Sequence, residues 1–390
     1  MSAPRAAFDW TQVTPPLGLA VSGGSDSTAL LMHAARKFEA GDLRVATVDH
    51  GLRPQAAQEA KDVAALCATL GIAHDTLPLH LDAGPNLQAR ARRARYAALA
   101  QWGRAEGLSA IALGHTRDDI AESFLMRLAR GSGVDGLAAM PAEFIANDQR
   151  FIRPLLDRSR AELRGKLVAK GVGWTDDPSN DNPEFQRVAM RHAQPDLDAL
   201  GLTAGRLSET ARWMQAARDV LEQAADDWIA AHARADHGDA VLDLQALIAA
   251  PDETRYRVLT RALCGVSGQP YRPRFAAVEA LPLNSAATLH GCLLYPHRTG
   301  LRITREVHAM GKTLDPRWQV DGPFEPDFEL RPLGAEGLSQ LASWRETALV
   351  PRRSLLASPA VWHGPRLIAA PLAAPMDKWR ATAPNPLKRL

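Results

Sequence analysis

The sequence predicts an α/β protein that begins with a Rossmann-like parallel sheet carrying helices on both faces. Residues 17–21, 45–48 and 110–113 are short apolar runs typical of strands, and helical composition follows each of them. Alternation of strand and helix builds parallel sheets. Each run also ends in polar residues, and ligands of such sheets bind where the strands end. We therefore expect the three polar endings to converge on one site.

The helices of this sheet follow from the same alternation. Residues 28–38, 55–70 and 118–130 have helical composition, and Gly71 ends the second of these stretches. The first strand and its helix are separated only by a short polar stretch. This arrangement predicts a strand that turns tightly into a helix.

At 390 residues, the chain is long enough for two or three domains of about 150 residues each. Strand signals give way near residue 200 to a long amphipathic helix over residues 206–235. Helical patterns continue to about residue 281, whereas residues 288–306 are typical of β-hairpins. We predict one domain over residues 1–200, a mainly helical domain over 201–312, and a linker with a small C-terminal α+β domain over 313–390.

The composition is that of a soluble globular protein, with 46% apolar residues, 23% charged residues and a formal net charge of +2. The sequence has neither eighteen consecutive apolar residues nor the order of a signal peptide, so we expect no membrane span and no export. Cys67, Cys264 and Cys292 are too scattered for a disulfide framework or a zinc site. We therefore expect the reducing cytoplasm.

The strongest functional signal is Ser22-Gly23-Gly24-Ser25-Asp26-Ser27, between the first strand and its helix. A helix N-terminus presents unpaired N–H groups and the positive end of the helix dipole, and glycines let phosphate oxygens approach them. No lysine follows, so this is not the loop that holds a transferring γ-phosphate. The motif is either an ordinary glycine-serine turn or a different kind of phosphate site.

A second polar group follows the third strand. Residues 114–133 read GHTRDDIAESFLMRLARGSG, which places Asp118, Asp119 and Glu122 on one helical arc opposite an apolar arc. These carboxylates are either surface groups that stabilise a helix N-terminus or ligands for a cation such as Mg²⁺ or an ammonium group. His115 is a candidate hydrogen-bonding group, general base or, with Asp118, metal ligand.

The motif at residues 22–27 resembles the pyrophosphate loop, or PP-loop, of the N-type ATP pyrophosphatases. The resemblance implies an adenine nucleotide alpha hydrolase-like fold over residues 1–200, cleavage of ATP between the α- and β-phosphates, and transfer of AMP to an acceptor oxygen. It further implies that Asp26 helps to hold Mg²⁺ with the pyrophosphate.

A narrower resemblance rests on five further segments. They are Val48-Asp49-His50-Gly51-Leu52-Arg53, Asn86-Leu87-Gln88 with residues 91–96, the segment from His115 to Gly133, Arg153-Pro154-Leu155-Leu156, and Trp174 with Asp177-Pro178-Ser179-Asn180. In order and spacing, residues 17–192 resemble the tRNA(Ile)-lysidine synthetases. That family adenylates the C2 oxygen of the wobble cytidine in tRNA(Ile) with a CAU anticodon and then joins lysine to C2 through its ε-amine. The resemblance implies ATP, Mg²⁺, L-lysine and this tRNA as cofactors and partners.

The resemblance also implies the nucleotide-binding and catalytic residues, position by position. ATP would contact Ser22, Gly23, Gly24, Ser25, Asp26 and Ser27, with Asp49 and His50 near the adenosine. Arg95 would offset charge in the transition state. His115 would lie beside the nucleotide or the reacting base.

The same resemblance implies the residues of the second substrate. Asp119 and Glu122 would recognise lysine, because its cationic amine needs carboxylates nearby. Arg187 and Arg191 would order the site or contact tRNA, although Val188 stands where the family has asparagine. Gly114 likewise stands where many relatives have a histidine.

Three alternatives share this sequence signal. tRNA thiolases also adenylate a nucleobase oxygen, but their persulfide or iron–sulfur chemistry needs cysteines that are scattered here. Small-molecule PP-loop synthetases, such as those of GMP and NAD, would not need the extension beyond residue 200. A tRNA-binding module with a decayed nucleotide site is disfavoured by the intact Asp26, Asp119 and Glu122.

We expect the residues after 200 to hold the tRNA. Arg206, Arg212 and Arg218 of the long helix, together with the basic residues 345–390, would contact phosphates. Candidate platforms for stacking unpaired bases are Trp213, Trp228, Trp344, Trp362 and Trp379. The sequence leaves the oligomeric state open, a homodimer included.

Overall fold

The computed structural model describes residues 8–49, 51, 56–79, 84–176, 186–269, 271–298, 300–310 and 314–389. The chain divides into two compact units, Met1–Arg218 and Asp219–Leu390. The division falls inside the long helix Ala204–His232, so the domain boundary predicted near residue 200 stays a prediction. Among the described residues, no helix is both long and apolar enough to cross a membrane.

The first unit contains a six-stranded sheet and nine helices or parts of helices among its described residues. The strands are β1 (Leu17–Ala20), β2 (Leu43–Asp49), β3 (Ala73–Pro78), β4 (Ala110–Leu113), β5 (Glu143–Ala146) and β6 (Gln149–Ile152). The helices are α1 (Ser25–Ala34), α2 (Ala56–Thr69), α3 (Leu87–Ala105), α4 (Arg117–Leu128), α5 (Val134–Leu137), α6 (Arg160–Val168), α7 (Gln186–His192), α8 (Gln194–Ala199) and the first part of α9 (Ala204–His232).

The sheet has the strand order β3-β2-β1-β4-β6-β5. All its strands are parallel to their neighbours except β5, which pairs antiparallel with β6. In the centre, Leu17 of β1 lies opposite both Leu43 of β2 and Ala110 of β4. The predicted parallel sheet is therefore confirmed, although β3, β5 and β6 were not predicted.

Helices cover both faces of this sheet, as predicted. Successive residues of a strand point to opposite faces, so β1 contributes Leu19 to one core and Ala20 to the other. The first core includes Leu30 of α1 and Leu163 of α6, whereas the second includes Leu99 of α3. Burial on both faces explains why β1 and β4 are apolar throughout.

This topology positions the functional loops. The helices α1, α4 and α6 begin at Ser25, Arg117 and Arg160, after the strands β1, β4 and β6. Those three strands are parallel neighbours in the sheet. The three helix N-termini therefore lie along the same edge, which is the edge where ligands of such sheets bind.

The second unit has a five-stranded antiparallel sheet of order β7-β8-β11-β10-β9. Its strands and those that follow are β7 (Ala233–Asp236), β8 (Asp239–Asp243), β9 (Ala287–Leu289), β10 (Cys292–His297), β11 (Gly300–Arg305), β12 (Gln319–Asp321), β13 (Glu329–Pro332), β14 (Pro359–His363), β15 (Arg366–Ala369) and β16 (Arg380–Thr382). Its helices after α9 are α10 (Leu244–Ala249), α11 (Asp252–Ser267), α12 (Phe275–Glu279), α13 (Val307–Met310), α14 (Gly334–Ser339), α15 (Trp344–Thr347) and α16 (Arg352–Leu355).

The hairpin β7–β8 was not predicted: it interrupts the helical pattern expected to about residue 281, and the long helix predicted over residues 206–235 ends at His232. The turn of this hairpin is His237-Gly238, with φ values of 50° and 89°. Two successive residues with positive φ form the turn type that matches the twist of a two-stranded hairpin. From Arg206 up to this turn the sequence has neither proline nor glycine, so the helical signal of α9 runs on and hid the first strand. The predicted hairpins over residues 288–306 are confirmed by β9, β10 and β11.

The C-terminal part of the second unit, predicted as a linker with a small α+β domain over residues 313–390, contains short strands and short helices. The strands β13, β14 and β15 form one small sheet, and β12 pairs with β16, so the stretch predicted as a linker also contains strands. Trp362 is fully buried in one core, and Trp379 is 7% exposed in another. The prediction that these two tryptophans could stack on bases was therefore wrong, because both are packing residues.

Gly114 allows β4 to approach the loop before α1. A Cβ atom at Gly114 would lie 2.9 Å from the Cα atom of Ser27 and 3.0 Å from its backbone nitrogen. We predict that Gly114→Ala lowers the free energy of unfolding by about 1–3 kcal/mol, because a backbone neighbour must shift. Denaturant titration measures this change.

The matched control is Gly165→Ala in the middle of α6, where an added Cβ meets no atom within 4 Å. This exchange should raise the free energy of unfolding by up to about 1 kcal/mol through helix propensity. Equal effects at the two positions would contradict the packing described for Gly114.

Candidate active site

The loop between β1 and α1 has the geometry of an anion site. Gly23 has φ of +87°, which favours glycine. The Ser22 N–H donates to the Ser27 Oγ atom at 3.1 Å, and that hydroxyl donates to the Gly24 carbonyl at 3.0 Å. Within the described residues, the N–H groups of Ser25, Asp26 and Ser27 have no acceptor. Three N–H groups at the positive end of α1 are thus available to phosphate oxygens.

Arg160, the first residue of α6, contacts four carboxylates at this edge of the sheet. Its backbone N–H donates to the Asp118 Oδ2 atom at 2.8 Å. Its Nε atom donates to Asp26 Oδ2 at 2.9 Å, and its Nη1 atom donates to Glu122 Oε1 at 3.1 Å. The Nη2 atom lies 3.7 Å from Asp119 Oδ1. The Arg160 side chain, 16% exposed, therefore joins the phosphate loop to the carboxylates of α4.

Local sequence fixes Arg160 at the start of its helix. The Ser159 hydroxyl accepts a hydrogen bond from the Glu162 N–H at 3.2 Å, and the Ser159 N–H donates to Glu162 Oε2 at 3.4 Å. This reciprocal pair is a capping box. Because α6 begins there, its first side chain reaches the edge of the sheet.

The start of α4 is fixed in the same way by Asp119. Its Oδ2 atom accepts hydrogen bonds from the Thr116 N–H at 2.8 Å and the Thr116 hydroxyl at 3.0 Å. Burial alone would raise the pKa of Asp119, but its interactions with His115 and Arg160 and the Thr116 N–H hold that pKa below its usual value. Asp119 and Glu122 are 8% and 4% exposed, so they are not surface groups of a helix N-terminus.

Two arginines of α7 complete the surroundings of Glu122. The Arg191 Nε atom donates to Glu122 Oε1 at 3.0 Å, and the Arg187 Nε atom lies 3.3 Å from Glu122 Oε2. Arg187 also donates to the Ser123 hydroxyl at 3.3 Å. The structure thus brings both arginines to the carboxylates, while their part in ordering the site stays a prediction.

His115 lies just beyond β4, next to these carboxylates. Burial lowers the pKa of His115 to about 3, and the charges of Arg153 and Arg95 add to this effect against the opposing charge of Asp119. Its Nδ1 atom is buried without a hydrogen-bond partner in the described part of the chain. The imidazole is therefore neutral near pH 7, and one of its nitrogens can accept a hydrogen bond.

Arg95 of α3 is a cation without a carboxylate partner among the described residues. Burial lowers the pKa of its guanidinium, and the neighbouring Arg92 acts in the same direction. Its charge also reaches His115. Arg153, in contrast, is held against the Phe144 ring at 4.1 Å. A partly buried guanidinium without a counter-charge suits an anionic ligand.

Asp49 ends β2 at the same edge of the sheet. Its Oδ1 atom accepts a hydrogen bond from the Gly51 N–H at 2.9 Å, which is the contact of a strand-end turn. Its role toward adenosine stays a prediction. His50, with Leu52 and Arg53 of the same motif, lies outside the described residues, as do Asp177, Pro178, Ser179 and Asn180 of the last motif.

Two functional candidates were missed in the sequence. Arg160 and Arg164 lie within residues 150–170, where seven basic and two acidic residues form a basic segment whose charge pattern assigns no role to a single arginine. Arg164 donates from its Nε atom to the Ser25 hydroxyl at 3.1 Å. The capping-box pattern of Ser159 and Glu162 could have placed Arg160 at the start of a helix. Recognising β6 before this helix would have shown that the helix starts at the edge of the sheet where ligands bind.

Asp26 fits the chemistry of a Mg²⁺ ligand. Mg²⁺ takes oxygen ligands and is commonly held by one or two carboxylates together with substrate phosphates and water. Asp26 offers a carboxylate beside the free N–H groups of the loop. Burial raises its pKa, and the Arg160 charge offsets part of that shift. Within the described residues, no group of three or more His, Cys, Asp or Glu side chains is placed to hold a metal ion.

Known proteins resemble the chain over nearly its full length. A family model for the PP-loop domain matches residues 7–195. The tRNA(Ile)-lysidine synthase of Ruegeria pomeroyi is 42% identical, over 97% of this chain and 93% of that protein. The tRNA(Ile)-lysidine synthase of Hyphomonas neptunium is 40% identical, over 75% of this chain and 82% of that protein.

Solved structures resemble only part of the chain. The U34-tRNA thiolase of Methanococcus maripaludis, with its [4Fe-4S] cluster, is 15% identical and covers 53% of this chain and 73% of its own, with a TM-score of 0.44. The similarity to the Ruegeria protein, in contrast, extends through both compact units. The chain therefore belongs to the family of tRNA(Ile)-lysidine synthases.

Proposed function

We propose that this ATP-dependent ligase joins the ε-amine of L-lysine to C2 of the wobble cytidine in tRNA(Ile) with a CAU anticodon, releasing AMP and pyrophosphate. One observation carries the proposal: the guanidinium of Arg160 contacts Asp26 of the phosphate loop and Glu122 of the carboxylate pair at 2.9 and 3.1 Å. An anion site and a cation site are therefore within reach of one side chain. A reaction that joins a nucleotide and an amine at one base needs this proximity.

In the first step, the cytidine C2 oxygen attacks the α-phosphorus of ATP, and the bond to the oxygen that bridges the α- and β-phosphates breaks. The free N–H groups of Ser25, Asp26 and Ser27 would hold phosphate oxygens in this step. Arg95, which lacks a described carboxylate partner, would offset the charge that develops around the α-phosphate. Mg²⁺ at Asp26 would neutralise charge on the leaving pyrophosphate.

In the second step, the lysine amine attacks C2, the bond between C2 and the adenylated oxygen breaks, and AMP leaves with that oxygen. The attacking nitrogen loses one proton before attack, because the free amine has a pKa near 10.4 and is cationic at neutral pH, and it loses a second proton once the bond to C2 has formed. Asp119 and Glu122 would hold this amine before attack. His115, neutral beside them, would accept a hydrogen bond from the base or the nucleotide.

The thiolase alternative conflicts with the state of the cysteines. Cys67, Cys264 and Cys292 are all free and buried. Burial raises the pKa of the Cys67 thiol to about 11 and that of Cys292 to about 12, whereas persulfide or cluster chemistry needs a thiolate. Their free state also supports the proposal that the protein works in the reducing cytoplasm.

We propose that the residues after 200 hold the tRNA. Trp213 on α9 is 56% exposed and remains a candidate for stacking on an unpaired base. Trp228 and Trp344 are partly buried and are weaker candidates. Arg212 donates to the Leu156 carbonyl at 3.1 Å, so its guanidinium is not fully available to phosphates. The homodimer and the three-domain division stay predictions.

The decisive activity test uses the full chain with ATP, Mg²⁺, radiolabelled lysine and a transcript of the tRNA. We expect label in the RNA together with equal amounts of AMP and pyrophosphate. Transcripts with another anticodon and reactions with arginine or ornithine in place of lysine are the controls. Release of ADP, or lysine incorporation that does not depend on the CAU anticodon, would contradict the proposed function.

The role of Arg95 is tested by Arg95→Ala. Losing a cation that stabilises the transition state should slow adenylation by about 10²–10³-fold. Arg93→Ala in the same helix is the control, because Arg93 is exposed and should leave the rate near that of the wild type. Single-turnover release of pyrophosphate measures the step. Equal rates for the two variants would remove Arg95 from the mechanism.

The depressed pKa of His115 predicts an acid-sensitive fold. Between about pH 6.5 and 3, an unfolded histidine is protonated whereas His115 in the folded protein is not, so the folded state loses stability as the pH falls through this range. His115→Gln should therefore reduce the dependence of the free energy of unfolding on pH between 7.5 and 4.5, by at most about 1.4 kcal/mol per pH unit.

Denaturant titrations at both pH values measure the effect. The control is His192→Gln, because His192 is exposed. This variant should show the same pH dependence of the free energy of unfolding as the wild type. If the His115 variant keeps the full pH dependence of the wild type, the histidine is not buried in its neutral form.

A further inference from the structure

Arg160 occupies the carboxylates that the proposed function assigns to lysine. Its Nη1 atom donates to Glu122 Oε1, and its Nη2 atom faces Asp119 Oδ1. All three side chains are nearly buried, so bulk water does not screen these contacts strongly. A cation therefore already lies where the substrate ammonium would have to bind.

Guanidinium groups surround the two carboxylates, although Glu122 Oε2 accepts no hydrogen bond within the described residues. Glu122 Oε1 accepts from both Arg160 and Arg191, and Glu122 Oε2 lies 3.3 Å from Arg187. Asp119 Oδ2 accepts from the Thr116 N–H and hydroxyl, which fixes the start of α4. Arg160 lies against both Glu122 Oε1 and Asp119 Oδ1, so an ammonium that bridges these two oxygens has to take the place of its guanidinium.

Arg160, unlike Arg187 and Arg191 in their described contacts, also touches the phosphate loop. Besides Glu122, it contacts Asp26 in the loop whose N–H groups are free for phosphates. Arginine carries a planar fork of donors that matches phosphate oxygens. A triphosphate bound on the loop would therefore offer Arg160 new acceptors next to its Asp26 contact.

We propose that Arg160 is a positioning residue that masks Asp119 and Glu122 until ATP binds, and that the ATP phosphates then draw its guanidinium away and open the lysine site. This inference rests on the proposed role of Asp119 and Glu122 in lysine binding. ATP and lysine then bind with positive coupling, and each raises the affinity for the other by the same factor. If the masked form predominates by about tenfold, lysine binds about tenfold more weakly without ATP than with it.

Calorimetric titration of the full chain with L-lysine tests the proposal. Titrations are run without nucleotide and with Mg²⁺ and α,β-methylene ATP, which cannot release pyrophosphate. In the wild type, the analogue should tighten lysine binding by about tenfold. In Arg160→Gln, lysine should bind without nucleotide about as tightly as it binds the wild type with the analogue, and the analogue should have little further effect.

Two more variants make the comparison specific. In Arg160→Lys, one ammonium cannot contact Asp26 and Glu122 together, so we expect partial dependence on nucleotide. Arg158→Gln is the matched control, because Arg158 precedes the same helix but pairs with Asp157 and Glu162 outside the cluster. In Arg158→Gln, the analogue should tighten lysine binding as much as it does in the wild type. Circular dichroism shows whether Arg160→Gln folds. If it does not fold, the lysine titrations of Arg160→Lys test the proposal instead.

The masking proposal is overturned if the lysine affinity of Arg160→Gln depends on the ATP analogue as strongly as that of the wild type. If Arg160→Gln does not fold, the same result for Arg160→Lys overturns it. Glu122→Gln separates this result from a failure of the proposed function. If Glu122→Gln loses lysine affinity while the Arg160 variants keep their nucleotide dependence, the lysine site stands and only masking is wrong. If Glu122→Gln binds lysine as the wild type does, the proposed lysine site itself is wrong, and masking falls with it.

Discussion

The candidate site depends on keeping buried carboxylates charged at one edge of the sheet. Asp26, Asp119 and Glu122 are each less than one fifth exposed and would be costly to bury without cations nearby. Arg160 contacts all three, and removing one partner from such a buried pair typically costs about 3–5 kcal/mol. The strand order explains why they meet, because β1, β4 and β6 are neighbours and each leads into the helix that supplies one part of the cluster.

The fold of the first unit was largely predictable because its central strands are buried on both faces. Such strands are continuous apolar runs, and the glycines and serines after β1 interrupt that pattern clearly. Strand β3 lies at the edge of the sheet, has no buried residue and carries the polar run His74-Asp75-Thr76, so it gave no comparable signal. In the second unit, β7 follows α9 without a break in composition, and only the turn at His237 and Gly238 marks the hairpin.

The site was predictable in its parts but not in its connections. The phosphate loop and the carboxylates of α4 are local patterns, and periodicity places the carboxylates on one helical arc. Arg160 joins these parts, although it lies 134 positions after Asp26 along the chain. A local sequence pattern cannot predict a contact between residues so far apart. The resemblance supplied Arg187 and Arg191 as candidates, and the structure places both against Glu122.

The central claim is that the α-phosphate of ATP moves onto a pyrimidine oxygen, which then leaves with AMP. The most direct test uses tRNA whose wobble cytidine carries ¹⁸O at C2, in a reaction with the full chain, ATP, Mg²⁺ and lysine. Mass spectrometry of the released AMP follows the oxygen. We predict one ¹⁸O atom in AMP for each lysine joined to the RNA. Unlabelled AMP formed alongside lysine-modified RNA would contradict the claim.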